Sequence, residues 1–132
     1  MSLVLADTSV WARTGQAEVS RLLARAVEGD RVVMVVSVVL ELLRGARDRR
    51  EFAVQARAYD ALPRVELDAR LTDRAREIQA ALSWRGYLRG PSAADLLTAA
   101  AAESVGAELW HCDRHFDLIA AVTGQPVRRV GA

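Results

Sequence analysis

Four acids stand apart from the rest of this 132-residue chain: Asp7, Glu41, Asp95 and Asp113. Most of the other acids share helix faces with basic residues and read as solvated. Asp7 follows the apolar run Leu3-Val4-Leu5-Ala6, and Glu41 sits inside Val38-Val39-Leu40-Glu41-Leu42-Leu43. Asp95 sits inside Ala93-Ala94-Asp95-Leu96-Leu97, and Asp113 follows Leu109-Trp110-His111-Cys112. A carboxylate in apolar surroundings is costly unless it is paired, hydrogen-bonded or bound to a cation. Four carboxylates at one place repel one another unless divalent cations neutralise them. Oxygen-only ligands favour Mg²⁺ or Mn²⁺. Such a site suits phosphodiester hydrolysis, in which the ions polarise the phosphate, generate hydroxide and steady the leaving oxygen.

Each acid also has a purely structural reading. Asp7 and Asp113 are suitable helix N-caps, and Ser92-x-x-Asp95 matches a capping box. Glu41 falls four residues after Ser37, one too many for that box, and has only Arg44 or Arg47 nearby as a basic partner.

The elements that would carry these acids follow from periodicity. Leu3 to Ala6 and Arg31 to Val36 are apolar runs without alternation, the pattern of strands buried on both faces of a parallel sheet. Arg64 to Leu67 and Ala107 to Cys112 make third and fourth strands, and Pro126 to Val130 an edge strand. Helical spacing covers Gln16 to Glu28, closed by Gly29-Asp30. Further helices are expected over Val38 to Ala46 with Ser37 as N-cap, Asp48 to Leu62, Asp68 or Ala69 to Trp84, Pro91-Ser92 to Val105, and Arg114 to Thr123. Alternating strands and helices imply one α/β domain over residues 1–132, with a parallel sheet and right-handed crossovers. All four acids then map to strand carboxyl ends or to the helix starts that follow, where ligands of open α/β sheets bind.

Composition narrows the partners. Apolar residues make up 52% and charged residues 27%, the balance of a soluble globular chain. The formal charge is +1, so contact with nucleic acid has to come from a local patch. All basic side chains are Arg, with no Lys. A single cysteine, Cys112, excludes an intrachain disulfide and fits a reducing cytoplasm. The N-terminus reaches Asp7 too soon for a signal peptide, and Val32 to Leu43 is too short and too polar to span a bilayer.

Asp7-Thr8-Ser9 after strand one, Glu41-Leu42-Leu43-Arg44-Gly45 after strand two, Asp95 opening an Ala-rich helix and Asp113-Arg114-His115-Phe116 after strand four together resemble a PIN domain. The size is similar to the VapC toxins of bacterial toxin–antitoxin pairs. The resemblance implies a five-stranded parallel sheet flanked by helices on both faces. It also implies a homodimer and a metal-dependent endoribonuclease held inactive by a cognate antitoxin. Carried over by position, Asp7, Glu41, Asp95 and Asp113 hold Mg²⁺ or Mn²⁺, and Ser9 supports water or substrate. Many relatives place another acid two residues after the fourth, where this chain has His115, and Asp117 is the substitute two residues further on. That departure implies a weaker second metal site or a preference for Mn²⁺.

Several other signals remain. His111, Cys112 and His115 are too few for a structural zinc site, and His115 would contact phosphate near the site or, the simpler expectation, lie on the surface. Arg44 and Arg47, with Arg49 and Arg50, and the pair Arg85 and Arg89 are candidates to grip an RNA backbone. Trp11 and Trp84 would stack on bases or, the simpler expectation, pack in the core or an interface. A dehalogenase-like phosphatase would need Asp where Ser9 stands, and a receiver-like module would need a Lys. The competing non-enzymatic reading is a catalytically silent PIN-like or receiver-like module that binds a cation and docks a partner.

Overall fold

The computed structural model describes residues 2–132. The chain runs β1 (Val4–Ala6), α1 (Thr8–Trp11), α2 (Ala17–Glu28), β2 (Val32–Val35), α3 (Val36–Leu43), α4 (Arg49–Asp60) and β3 (Arg64–Val65). It continues through α5 (Ala69–Trp84), α6 (Ala93–Ser104), β4 (Glu108–His111), α7 (Arg114–Thr123) and β5 (Val127–Arg129). The strands form one five-stranded sheet in the order β3-β2-β1-β4-β5, and every pairing is parallel.

Successive side chains of a strand point to opposite faces, and β1 uses both. Leu5 enters the larger core with Val38, Ile78, Leu82, Ala99 and Phe116, while Val4 and Ala6 face Val10, Val19 and Leu23 on the other side. The larger face is covered by α3, α5, α6 and α7, and the smaller by α1 and α2. Fully buried Ala99, Ala100, Ala101 and Ala102 let α6 approach the sheet closely. Larger side chains there would overpack by about 1–3 kcal/mol.

Strand order fixes where the acids meet. It reverses direction between β1 and β4, which opens a crevice at their carboxyl ends. Asp7 follows β1 and Asp113 follows β4, so both stand at its rim.

One helix start differs from expectation. Helix α3 begins at Val36 directly from β2, with Val35 as a capless N-cap in extended conformation. Ser37 is therefore not the cap. Its hydroxyl is buried and shares a 2.7 Å hydrogen bond with the Thr98 hydroxyl of α6. A polar group facing a partner on another helix is held more firmly there than at an exposed helix end.

Candidate metal centre

Three of the four acids do the capping their positions suggested, and the caps aim them. Asp7 caps α1, its Oδ2 accepting from the Ser9 N–H at 3.0 Å and the Ser9 hydroxyl at 2.6 Å. Asp95 closes a reciprocal box with Ser92: its Oδ2 accepts from the Ser92 N–H at 2.9 Å, while its own N–H donates to the Ser92 hydroxyl at 3.1 Å. Asp113 caps α7 through Oδ1, which accepts from the His115 N–H at 2.9 Å. A carboxylate held by backbone N–H groups is fixed in direction and keeps lone pairs for another partner.

Asp7 and Asp95 are buried, Asp113 is half-buried, and Glu41 on α3 is exposed at the rim. Burial pushes the Asp7 carboxyl above its ordinary value against the pull of the Ser9 hydrogen bonds, and the charge on Asp95 adds to the rise. Partial desolvation raises Glu41 too, reinforced by Asp7 and Asp95 and opposed by Arg44. Asp7, Glu41 and Asp95 thus feel one another across three elements. Asp95, Asp113 and His115 each place one ligand atom within 4.8 Å of the others. The buried Thr8 hydroxyl, on the first residue of α1, faces the Glu41 carboxylate and favours its charged form.

This donor set fits a divalent cation. Mutually repelling carboxylates, oriented from behind by their own caps, are the oxygen ligands that a hard dication takes.

Ser9 has a bracing part. Besides donating to Asp7, its hydroxyl accepts from the Cys112 N–H at 2.9 Å, tying the end of β1 to the residue before Asp113. Buried His111 works similarly, its Nδ1 accepting from the Asp113 N–H at 3.2 Å. Burial holds that imidazole below its ordinary pKa, against the nearby Asp117 carboxylate, which leaves Nδ1 free to accept.

Asp117 does not join Asp95 and Asp113. Its oxygens lie 3.3 Å from His111 Nε2 and 3.7 Å from an Arg129 nitrogen. His115, read from the sequence as a surface residue, is instead drawn into the cluster, 3.4 Å from Asp95 and 3.5 Å from Asp113. The sequence signal for it was its place two residues after an N-cap, in the first turn of α7.

The arginines divide. Arg47 is committed to Glu51 at 2.8 Å, while Arg44 acts on Glu41. Arg85 and Arg89 are exposed on the loop before α6. The end of that loop borders the cluster: a side chain placed on Gly90 would meet Leu118 at 3.6 Å and the His115 ring at 3.9 Å. Trp11 packs internally, its indole N–H donating to the Ala6 carbonyl and its ring meeting Tyr59 edge-on at 5.9 Å. Trp84, the last residue of α5, is 91% exposed and so does not pack in the core of this chain, which leaves the interface or base-stacking readings.

Among the described residues, no helix is long and apolar enough to cross a membrane.

Comparison with known proteins agrees with the fold. The PIN domain family matches residues 4–122. Ribonuclease VapC18 of Mycobacterium tuberculosis is 36% identical over 122 residues, 91% of this chain and 89% of the relative. Ribonuclease VapC51 of the same organism is 39% identical over 122 residues, 92% and 88% respectively. Among solved structures, DNA-bound VapBC from Salmonella typhimurium superposes with a TM-score of 0.78 at 21% identity, covering 98% of each chain. The sarcin–ricin-loop-cleaving toxin VapC20 of M. tuberculosis gives 0.62 at 24% identity, covering 89% of this chain and 94% of that one.

Proposed function

This chain belongs to the PIN domain family, and on that premise we propose that it is a metal-dependent endoribonuclease, the toxin of a type II toxin–antitoxin pair. It acts in the cytoplasm as one domain over residues 1–132, hydrolyses RNA phosphodiester bonds and uses Mg²⁺ or Mn²⁺. The observation that supports this reading most is that Asp95, whose charge acts on both Asp7 and Glu41, has a ligand atom within 4.8 Å of one on Asp113. The relatives named ribonuclease and the neighbouring VapBC complexes support it.

A bound dication supplies Lewis acidity toward the phosphodiester and toward the attacking water. The chain's own residues do the rest. Asp7, Glu41, Asp95 and Asp113 hold the ion, the first kept in place by Ser9 and the last by His111. Arg44, Arg85 and Arg89 offset the charge of the RNA backbone entering the rim. Arg47 serves the same end only after releasing Glu51. Exposed Leu40 on α3 and Phe52 and Val54 on α4 leave apolar surface for the protein partners, an antitoxin and a second copy of this chain.

The test is to incubate the purified protein with total bacterial RNA in Mg²⁺, in Mn²⁺ and in chelator, and to map new ends. Discrete cuts that vanish with chelator are expected. Asp95→Asn should cut at least about 100-fold more slowly, since even outer-sphere partners of a metal site cost about 10–100-fold. A variant as active as the wild type, or cuts that persist in chelator, would sink the proposal.

A further inference from the structure

An imidazole stands beside Asp95 and Asp113. His115 is 30% exposed, and its Nδ1 stands 3.4 Å from Asp95 Oδ2 and 3.5 Å from Asp113 Oδ1. A charge-assisted hydrogen bond between imidazolium and carboxylate would be about 2.7–2.9 Å long. These contacts exceed that range, and neither forms a hydrogen bond. They are a few tenths of an ångström longer than the roughly 2.8–3.1 Å between adjacent donors of an octahedral ion with ligand distances of about 2.0–2.2 Å, so a small inward shift of the ring brings all three atoms onto one ion.

The two carboxylates are held for that purpose from opposite sides. Asp95 is anchored by Ser92 on α6, and Asp113 by the backbone N–H of His115 itself on α7. The His115 ring is flanked by Gly90, where an added Cβ would lie in van der Waals contact with its Cδ2 at 3.9 Å. Asp117, the other candidate for a further ligand on α7, is turned to His111 and Arg129. Among the described residues, the atom that stands with the Asp95 and Asp113 oxygens as a possible third ligand is therefore a nitrogen.

Resting on the metal-site reading above, we infer that His115 coordinates the cation through Nδ1 and shifts the site from Mg²⁺ toward Mn²⁺ and other first-row transition dications. Mg²⁺ takes oxygen donors in a near-ideal octahedron and gains little from imidazole, whereas later first-row ions bind it well.

Pulsed electron paramagnetic resonance of the full chain loaded with Mn²⁺ alone reads the ligand directly. Coupling to an imidazole ¹⁴N is expected in the wild type and absent in His115→Gln. Calorimetric titration should show Mn²⁺ affinity at least about 10-fold weaker in that variant, with Mg²⁺ affinity little changed. His115→Asp should move the Mn²⁺-to-Mg²⁺ affinity ratio toward Mg²⁺. Thermal unfolding of the metal-free variants, matched to the wild type, excludes misfolding as the cause. Mn²⁺ that binds without nitrogen coupling, or binds His115→Gln equally well, overturns the role of His115 and leaves the carboxylate site standing. The absence of saturable Mn²⁺ binding to the wild type overturns both.

Discussion

Asp7 shows how one side chain serves structure and chemistry against opposing demands. Capping and the Ser9 hydroxyl favour its charged form, while burial and Asp95 oppose it, and the balance lies above its ordinary value of 3.8. The folded state then binds the proton more tightly than the unfolded chain does. Stability falls as pH rises from the unfolded value through the folded one, and above that window the ionised group opposes folding. Glu41 acts in the same direction. In chelator, the protein should therefore lose stability between the ordinary carboxylate range and neutrality. Asp7→Asn, which keeps an acceptor for Ser9, should melt higher than the wild type at neutral pH and lose that advantage when Mn²⁺ is added. Thermal unfolding across pH, with and without the ion, checks this. A variant that melts lower in chelator at neutral pH would show that the cap outweighs the repulsion. The four acids were legible in the sequence because apolar neighbours made their cost conspicuous. The sequence put His115 at the place of a further acid but could not choose between it and Asp117, since a histidine in a first helical turn is equally at home in solvent.

At the scale of elements, the bond between Ser37 and Thr98 joins the helix carrying Glu41 to the helix carrying Asp95. Removing one partner leaves the other hydroxyl buried without a bond, at a cost of about 1–3 kcal/mol. Ser37→Ala should lower urea stability by that much, and Ser37→Ala with Thr98→Val should recover most of it. Additive losses in this cycle would mean that the two hydroxyls do not act together. The caps make a simpler case. Asp68 accepts from the Leu71 N–H at 3.0 Å at the start of α5, whose Ile78 and Leu82 lie in the core. Asp68→Ala should cost about 0.5–2 kcal/mol in the same denaturation while leaving the RNA cleavage pattern unchanged. Helix starts of this kind were visible in the sequence because Asp and Ser announce them. The start of α3 was not, because a strand runs into it without a turn or a capping side chain, and the one hydroxyl nearby is used across the fold.

For the whole molecule, a formal charge of +1 means that RNA is held by local geometry and not by a general field. Arg85 and Arg89 are exposed on the loop that ends at Gly90, next to His115, and on the proposed reading they contact backbone phosphates. Changing both to Ala should weaken binding of single-stranded RNA and reduce the salt slope of log K by about 1.4, or about 0.7 per phosphate contact. Filter binding over a series of salt concentrations measures this, and an unchanged slope would remove both from the interface. Trp84 offers a contrast, since at 91% exposure it contributes little to the core. Trp84→Ser should change folding stability by no more than about 0.5 kcal/mol.

The sequence alone settled the class of fold and the strand ends at which Asp7 and Asp113 lie. Strands that alternate with helices must be parallel, and right-handed crossovers bring every strand's carboxyl end to one rim. Asp7 and Asp113, placed just after strands, then share that rim whatever the strand order, whereas Asp95 opens a helix that follows another helix and is brought near Asp113 by the packing of α6. Which of them become neighbours was decided by tertiary structure, through the order β3-β2-β1-β4-β5 that sets Asp7 beside Asp113. The same holds within α7. His115 and Asp117 are two residues apart and point about 200° apart around the helix axis, so only one can face Asp95. Local periodicity registers the separation, but the packing of α7 against α5, α6 and β5 chooses the face.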